Sequence, residues 1–519
     1  MLCCFCLVFA FFKIFLSFAD IFPCFSNVLQ KHCTICEICW GNFRGFCLFF
    51  TIFALIMPFC ALCAVFSRDN MELNTAFVER TELLFGKERF ARFMAALDTE
   101  PVVSIRYNTS KHAPDNSNAP VPWAADGRYL SARPVFTADP LFHAGCYYVQ
   151  EASSMFIEQF VKRYIDAPVR ALDLCAAPGG KTTHLLSLLP KGSMLVSNEP
   201  VPQRAQILAE NVIKWGTISS VVTRNEPADF APFGNFFDLI VVDAPCSGEG
   251  MFRKDQGAVE QWSLSNVEQC VKRQKRILSD IWPSLRPGGV LIYSTCTFNR
   301  EENEECVQWI AEELGATPLS VEMGDWGVTG ALAGDLPVYR FIPGYTAGEG
   351  FFIAALRKDG DAPLAQPRQQ RFQPVPAKLK AALEKWVTSP GEFNFVQQGE
   401  RVVAMPREHT NAMLALQQKL KVLHCALPLA DVKNNKLLPL HQLAMSNVLC
   451  KAAFCNVELE REKALAYLHR EALTFDQAPV GYLLLTYNGT PIGFAKNIGN
   501  RANNLYPAEW RIRKNPMEL

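Results

Sequence analysis

The chain has no net charge, because its 51 Lys and Arg residues balance 51 Asp and Glu residues. This balance excludes a protein that coats nucleic acid with a uniformly basic surface, so any contact with nucleic acid must come from local patches. The GxGxxG fingerprint of dinucleotide-binding proteins is also absent, and no segment repeats along the chain. The sequence does have 519 residues, 49% of them apolar, which is enough for a large core and two or more domains.

Cysteine is rare in most of the chain: ten of the nineteen cysteines lie in residues 1–63, and nine lie in the 456 residues that follow. The later nine show neither a disulfide framework nor metal-ligand spacing, which fits a reducing cytosol where thiols stay available for chemistry. In the early group, Cys33, Cys36 and Cys39 form a CxxCxxC run, but Phe43 stands where a fourth cluster ligand would be. We therefore expect no metal cofactor.

Residues 1–70 differ in composition from the rest, since 15 of the 38 Phe residues lie before residue 67. Residues 47–66 carry no charge and are long enough to cross a bilayer as a helix. The segment lacks the layout of a signal peptide, whereas a pattern typical of a soluble amphipathic helix begins at Met71. We interpret residues 1–70 as the result of a start assigned too far upstream and expect a cytoplasmic protein. The alternatives are a membrane anchor at 47–66 and a processed segment, and membrane contact is expected only if residues 1–66 are genuine.

From residue 169 onward, short apolar runs alternate with helical patterns, as in a parallel sheet flanked by helices. This pattern predicts a doubly wound α/β core of Rossmann-like type, with a mostly parallel sheet, over residues 151–358. The predicted strands are 171–174, 194–198, 220–223, 238–242, 290–294 and 351–356. The predicted helices include 181–189, 203–214 and 267–285.

The sequence after the core predicts a linker and a separate C-terminal region. Residues 359–378 are rich in Pro and Gln and lack periodicity, which marks a linker. The region 379–519 contains an alternating apolar segment, 480–494, with an Asn-Gly turn inside it, which predicts a β-hairpin in a small β-rich module. Basic residues of the tail interleave with Phe494, Tyr506 and Trp510, a pattern suited to phosphate contacts and base stacking, with a solvated face as the alternative. These basic residues are Lys496, Arg501, Arg511 and Arg513.

A loop that reads DLCAAPGGK, residues 173–181, joins the first predicted strand of the core to a helix. Glycines let the backbone approach a ligand, and the helix N-terminus offers free amides, so a nucleotide-like cofactor is indicated. A Pro-Gly-Gly turn by itself is weak support. Three further strand ends carry Glu199, Asn225 and Asp243 on the edge where α/β sheets bind ligands. A carboxylate placed like Glu199 can accept hydrogen bonds from two ribose hydroxyls.

Two cysteines follow predicted strands close to this edge. Cys246 lies in DAPCSGEG, residues 243–250, and Cys296 lies in YSTCTF, residues 293–298. A lone cysteine is most often a small buried apolar residue. Two cysteines at strand ends beside a cofactor cleft instead favour a chemical role.

The motifs DLCAAPGGKT, DAPCSGEG and YSTCTFNREENE, in this order, resemble the signatures of the Sun/RsmF-type (Nol/Nop/Sun) RNA cytosine-C5 methyltransferases. The segments SIRYNTSK (104–111), VPW (121–123) and HAGCYYVQEASSM (143–155) resemble the family's N-terminal RNA-contacting and pre-core segments, here within residues 71–150. Two C-terminal segments, 430–446 and 489–513, look like the PUA-like tail of the RsmF branch. The resemblance runs from about residue 71 to residue 513.

The resemblance implies that S-adenosylmethionine donates a methyl group to carbon 5 of a cytidine, expected to lie in small-subunit (16S) rRNA. It implies that Cys296 attacks the base and that Cys246 assists release, while Asp243 steadies the base with support from Lys181. Where the family often has Asp on the third strand, this chain has Asn225, whose amide can still hydrogen-bond adenine. The implied cofactor-binding residues are Cys175, Ala176, Ala177, Pro178, Gly179, Gly180, Lys181, Glu199, Asn225 and Asp243.

The chemistry explains why two thiols are needed. Carbon 5 of cytosine is a weak nucleophile until a thiolate adds at carbon 6, and the hydrogen at carbon 5 must later be removed by a second group. The alternatives are a tRNA cytosine-C5 methyltransferase, an RNA-binding assembly factor without catalysis, and a methyltransferase for DNA or a small molecule. Intact Cys246, Cys296 and Asp243 oppose the assembly factor, and an RNA-binding tail opposes a small-molecule enzyme. A monomer with an RNA partner is expected.

Overall fold

A nine-stranded sheet forms the centre of the computed structural model, which describes residues 73–514. The interpretations made above for residues 1–70, including the anchor at 47–66 and the CxxCxxC run, lie outside this range. None of the helices within residues 73–514 combines the length and the hydropathy that a membrane crossing requires.

The N-terminal region contains two helices and a small sheet. Asn74 caps the first helix, because its side chain accepts a hydrogen bond from the Ala76 amide. Three antiparallel strands follow, with β1 in the middle of the order β2-β1-β3. The elements are α1 (Thr75–Phe85), α2 (Lys87–Leu97), β1 (Val103–Tyr107), β2 (Gly127–Leu130), α3 (Pro140–His143) and β3 (Tyr147–Val149).

The central region is the predicted Rossmann-like core. Its strands are β4 (Arg170–Asp173), β5 (Met194–Asn198), β6 (Ser220–Thr223), β7 (Phe237–Asp243), β8 (Leu285–Thr295), β9 (Ala316–Leu319), β10 (Val338–Phe341) and β11 (Phe351–Lys358). Its helices are α4 (Ile157–Tyr164), α5 (Gly180–Leu188), α6 (Pro202–Trp215), α7 (Gln256–Gln261), α8 (Leu264–Ile281) and α9 (Glu304–Glu313). Strands β6, β5, β4, β7 and β8 are parallel and adjacent in that order, and β11 is antiparallel to β8.

The predicted strands of the core are confirmed, with small shifts at their ends. Every residue of β4 and β5 is buried, as expected for parallel strands that helices cover on both faces. Strand β8 begins at Leu285, five residues earlier than predicted, because Leu285 already pairs with Phe237 of β7. Helix α8 ends at Ile281, earlier than predicted, because Pro283 has no backbone N–H to continue the hydrogen bonds of the helix, and the chain goes on as one 3-10 turn.

The C-terminal region builds two further sheets, a five-stranded one in the order β12-β13-β14-β16-β17 and a four-stranded one in the order β18-β19-β20-β21. The strands are β12 (Gln373–Pro374), β13 (Phe393–Gln398), β14 (Arg401–Pro406), β15 (Val422–Cys425), β16 (Leu427–Lys433), β17 (Lys436–Pro439), β18 (Cys455–Glu458), β19 (Gly481–Tyr487), β20 (Thr490–Asn497) and β21 (Ala502–Asn504). The helices are α10 (Ala377–Leu383), α11 (Thr410–Lys419), α12 (His441–Met445) and α13 (Arg461–Leu468). The predicted hairpin is confirmed, with Asn488 and Gly489 at positive φ between β19 and β20.

One strand of the C-terminal region completes the central sheet. Strand β15 pairs with β6 in antiparallel fashion, and Met413 and Leu416 of α11 belong to the same hydrophobic cluster as the core strands. Residues 73–519 also cluster as one compact unit. The C-terminal region is therefore not separate from the α/β core, and its deletion would remove an edge strand from the central sheet.

Two of the three aromatic residues of the tail are buried, whereas Trp510 is half-buried. Phe494 is fully buried and Tyr506 is 1% exposed, and both belong to hydrophobic clusters. The prediction that these two rings stack on bases is therefore wrong, because interleaved aromatic and basic residues are also what a strand with one buried face produces. The four basic side chains of the tail, by contrast, are exposed.

The SIRYNTSK segment joins the N-terminal region to the core through its polar side chains. Lys111 donates from Nζ to the carbonyls of Ala144 and Lys214, at 2.9 and 2.6 Å. Asn108 donates from Nδ2 to the carbonyls of Gly145 and Trp215, at 3.0 and 2.9 Å. Both side chains thus satisfy carbonyl groups at the C-terminus of α6, which have no partner within the helix.

We expect Asn108→Ala to lower the free energy of unfolding by roughly 2–4 kcal/mol, because two buried carbonyls lose their donor. Urea unfolding followed by circular dichroism measures the change. Asn116→Ala is the matched control, since Asn116 is exposed and accepts only one bond, from Arg128. A similar loss in both variants would contradict the assigned role of Asn108.

Candidate active site

The loop after β4 has the backbone of a ligand cradle. Gly179 has a backbone φ of +118°, which residues other than glycine rarely adopt. Helix α5 begins at the next residue. The amides of the first turn of α5 have no partner inside the helix and carry its positive dipole end. Residues 175–181, the predicted cofactor loop, therefore present donors at the carboxyl end of β4.

Glu199 follows β5 and lies next to this loop. Its side chain is 2% exposed and accepts from the Val201 amide at 3.0 Å. Arg204 lies 3.3 Å from the second oxygen and also donates to the Ala177 carbonyl at 2.9 Å. Arg204 therefore links the carboxylate to the cofactor loop.

Asn225, the predicted site residue after β6, has its side chain engaged within the protein. Its Oδ1 accepts from the Lys421 amide at 3.0 Å, and its Nδ2 donates to Asp229 at 3.1 Å. Glu226 and Asp229 are exposed carboxylates on the same strand end. Neither was among the predicted site residues, although their position within six residues of a buried strand end was the signal that could have found them.

Asp173, at the end of β4, is a buried carboxyl group with one free oxygen. Thr182 donates to Oδ2 at 2.6 Å, whereas Oδ1 is buried and has no hydrogen-bond partner. Burial raises the pKa of Asp173 to about 7, and the nearby carboxylates of Asp243 and Glu199 act in the same direction.

This pKa makes the stability of the protein depend on pH. Because the pKa in the folded state lies above the unfolded value of 3.8, the folded form binds more protons, and stability falls as pH rises from 3.8 to about 7. Asp173→Asn removes this titration. Its stability relative to the original chain should therefore rise by up to about 1.4 kcal/mol per pH unit in that window.

Urea unfolding at several pH values, without ligand, measures this difference. Asp361→Asn is the matched control, since the Asp361 side chain is 94% exposed and its replacement should change the free energy of unfolding by less than about 0.5 kcal/mol. A pH-independent difference for Asp173→Asn would contradict the raised pKa.

Asp243, at the end of β7, has both carboxylate oxygens fixed. Lys181 Nζ lies 2.9 Å from Oδ2, and Ser294 donates to Oδ1 at 2.7 Å. The Lys181 ammonium also lies 4.8 Å above the ring of Phe351. The side chain of Asp243 remains 38% exposed, so it can contact a ligand in the cleft.

Cys246 and Cys296 lie in contact at the ends of the adjacent strands β7 and β8. Their sulfur atoms are 3.3 Å apart, and the Cys296 amide donates to the Cys246 sulfur at 3.4 Å. The hydrogen bond with Cys296, followed by burial, raises the pKa of the Cys246 thiol well above its ordinary value. The Cys246 thiolate, once formed, therefore binds a proton more tightly than an ordinary cysteine thiolate does.

A buried polar network supports the two cysteine loops. Glu302 accepts from the Ser247 amide at 3.1 Å and from Gln274 Nε2 at 2.6 Å, while Asn299 Nδ2 donates to Glu302 at 2.8 Å and to Glu249 at 3.0 Å. None of these four side chains was among the predicted site residues. Three of them lie inside quoted motifs, but Gln274 lies in the middle of α8, where no local pattern distinguishes it.

The structure thus brings Lys181, Asp243, Cys246 and Cys296 together at the carboxyl ends of the adjacent strands β4, β7 and β8, beside the predicted cofactor loop. The cleft lies where β4 and β7 meet, which is the point of the sheet where the chain switches direction and where α/β proteins bind ligands. Within residues 73–514, no group of His, Cys, Asp or Glu side chains is arranged to hold a metal ion.

Comparison with known proteins gives matches over most of the described chain. Residues 166–357 match the family described as 16S rRNA methyltransferase RsmB/F, residues 73–152 match the N-terminal domain of 16S rRNA methyltransferase RsmF, and residues 454–512 match the methyltransferase RsmF PUA domain. The ribosomal RNA small subunit methyltransferase F of Erwinia tasmaniensis is 31% identical over 473 residues, covering 84% of this chain and 96% of that protein. The protein of the same name from Aliivibrio fischeri is 30% identical over 479 residues, covering 85% and 98%. The crystal structure of PH0851 shares the fold, with a TM-score of 0.50 and 22% identity over 56% of this chain and 66% of that one.

Proposed function

The chain belongs to the family of 16S rRNA methyltransferases RsmB/F, and from this premise we propose that it methylates carbon 5 of a cytidine in small-subunit rRNA through a covalent adduct on Cys296. It is an RNA methyltransferase with a Rossmann-like core. The observation that carries the proposed mechanism is the 3.3 Å contact between the sulfurs of Cys296 and Cys246 beside Asp243.

The residues of the cleft fit S-adenosylmethionine, which supplies an activated methyl group when bound. The free Oδ1 of Asp173 and the first-turn amides of α5 complement a zwitterionic amino acid. Glu199 can accept hydrogen bonds from ribose hydroxyls. Asn225, or the carboxylate of Glu226 or Asp229, would contact the adenine. Residues 175–181 would line the cofactor along its length.

The reaction divides between the two sulfurs. Cys296, as a thiolate, forms a bond to carbon 6 of the cytosine, which makes carbon 5 nucleophilic enough to take the methyl group. Asp243 holds the base at its exocyclic amine, and Lys181 keeps that carboxylate in place. Cys246, in its thiolate form, then takes the proton from carbon 5, the electron pair of that C–H bond forms the double bond between carbons 5 and 6, and the bond between carbon 6 and sulfur breaks so that Cys296 leaves as a thiolate.

We propose that the two regions that flank the core (151–358) in the sequence, residues 71–150 and 379–519, contact the RNA. Residues 359–378 connect the core to the second of these regions. The support is the match of both flanking regions to RsmF domains and the four exposed basic residues of the tail. A cytidine of rRNA is preferred to one of tRNA because the matching proteins are named for the small subunit. Because ribosomal RNA lies in the cytoplasm, we propose that the enzyme acts there. We also propose that it acts as a monomer.

Bisulfite sequencing of total RNA from cells with and without the gene tests the substrate. We expect one cytidine of small-subunit rRNA to lose its protection when the gene is deleted and to regain it when the gene is restored. Loss of protection in tRNA alone would assign the tRNA alternative. Unchanged protection in all RNA would favour the assembly factor without catalysis.

A further inference from the structure

Glu249 lies between the two cysteine loops and contacts both. It belongs to the DAPCSGEG loop of Cys246, and only 2% of its surface is exposed. Oxygen Oε2 accepts from the backbone amides of Phe298 and Asn299, at 2.7 and 2.9 Å. Both donors belong to the loop that begins at Cys296.

The second oxygen of Glu249 connects the same carboxylate to a third segment. Oε1 accepts from Trp262 Nε1 at 2.9 Å and from Asn299 Nδ2 at 3.0 Å. Four N–H donors therefore satisfy one buried carboxylate, an arrangement in which each bond is charge-assisted. Removing the charge leaves buried donors without an acceptor, which is unfavourable.

The residue after Glu249 contacts the backbone of Cys296. The next residue, Gly250, donates its amide to the Cys296 carbonyl at 2.8 Å. A side chain at Gly250 would lie 2.4 Å from the Gly350 carbonyl, so the three loops are packed backbone to backbone at this point. The position of Cys296 relative to Cys246 thus depends on a bridge that starts at the Glu249 carboxylate.

We propose that Glu249 is a positioning residue: by holding the backbone of residues 298 and 299 against its own loop, it keeps the Cys296 sulfur in contact with the Cys246 sulfur. Its importance for methyl transfer rests on the proposed function. The positioning itself can be measured without RNA or S-adenosylmethionine.

The rate of cross-linking between the two cysteines reports the positioning. Diamide oxidises two thiols to one disulfide and is itself reduced to a hydrazine, with two electrons and two protons transferred. A disulfide requires the sulfurs to approach to about 2 Å, so the rate depends on how often they are in contact. Peptide mapping by mass spectrometry of the full chain identifies the Cys246–Cys296 product.

We expect Glu249→Gln to slow this cross-linking at least tenfold. The amide oxygen can keep the two backbone donors, but the amide nitrogen then faces the donors on Trp262 and Asn299. Asp238→Asn is the matched control, since Asp238 is a buried carboxylate at the opposite end of β7, held by Arg286 and the Arg170 amide. Its cross-linking rate should stay within twofold of the original. Equal rates for Glu249→Gln and the original chain would overturn the proposal.

A second variant tests whether the clash of donors is the cause. Trp262→Phe removes one N–H, so adding it to Glu249→Gln should restore the cross-linking rate at least threefold, while Trp262→Phe alone should change it less than threefold. No restoration would overturn the assigned geometry. If Glu249→Gln does not fold, Glu249→Asp replaces it, because its shorter side chain cannot reach both neighbouring segments, and an unchanged cross-linking rate in that variant would equally overturn the proposal.

Steady-state kinetics then connects the positioning to the reaction. Glu249→Gln should lower kcat at least tenfold while KM for RNA and the Kd for S-adenosylmethionine change less than threefold. A slowed cross-link with unchanged kcat would overturn the catalytic part of the proposal. Absence of methyl transfer by the original chain would contradict the proposed function and leave the cross-linking result as the test of Glu249.

Discussion

Replacing Cys296 by alanine should abolish methyl transfer, with a loss of roughly 10⁴-fold or more, the scale seen when a covalent nucleophile is removed. Without its sulfur no bond forms at carbon 6, and carbon 5 stays too weak a nucleophile to take the methyl group. Transfer of labelled methyl from S-adenosylmethionine to small-subunit rRNA measures the loss. No covalent RNA adduct should appear on denaturing gels.

Cofactor binding by the Cys296→Ala variant should persist, because residues 175–181 and Glu199 are unchanged, and calorimetry can show this. Cys270→Ala is the matched control. Cys270 lies on the buried face of α8, and its thiol donates a hydrogen bond to the side chain of Asn266. It should retain activity. Methyl transfer by Cys296→Ala above a few per cent of the original rate would contradict the assignment of the nucleophile.

Replacing Cys246 by alanine should instead allow attack and methyl transfer but slow the resolution of the adduct. The Cys246 sulfur lies 3.3 Å from the Cys296 sulfur, and its raised pKa makes it a strong base once deprotonated. Loss of such a group should lower turnover by about 10²–10⁴-fold. A protein–RNA species that survives denaturing electrophoresis should accumulate.

The double variant distinguishes the two roles. Adding Cys296→Ala to Cys246→Ala should remove the adduct, since no sulfur remains to form it. If Cys296→Ala traps RNA and Cys246→Ala does not, the roles are reversed, and the enzyme would attack through its Pro-Cys thiol as DNA cytosine methyltransferases do.

The α/β core could be read from the sequence because its strands are buried on both faces. Such strands appear as short apolar runs, and each run that ends in Asp173, Glu199, Asn225 or Asp243 ends where the sheet reaches its ligand edge. The cofactor loop was likewise predictable, since a turn that needs a positive φ before a helix requires a glycine. That glycine, Gly179, is visible in the sequence. The periodicity of apolar residues and the residue preferences of turns depend on residues within about ten positions of each other, so both can be read from the sequence.

Contacts between distant segments left no comparable signal. The strand at 422–425 reads as one more short apolar run, and nothing in it shows that it pairs with β6 of the core. Phe494 and Tyr506 look like partners for bases, yet both are buried. Asn108 and Lys111 look like surface polar residues, yet both bind carbonyls at the end of α6. Burial depends on which segments meet, and this is a property of the whole fold.

The sequence by itself determined the Rossmann-like core, and it predicted the cofactor loop and the two reacting cysteines, because each is encoded by residues that are neighbours in the chain. Only the tertiary structure decided that Cys246 and Cys296, fifty residues apart, come within 3.3 Å of each other, and that Glu249 and Glu302 hold their loops from inside the protein. It also decided the proton affinities of Asp173 and Cys246, since those depend on desolvation and on neighbours that folding supplies. A charge or a thiol has its ordinary chemistry in the extended chain, and its surroundings in the fold change that chemistry.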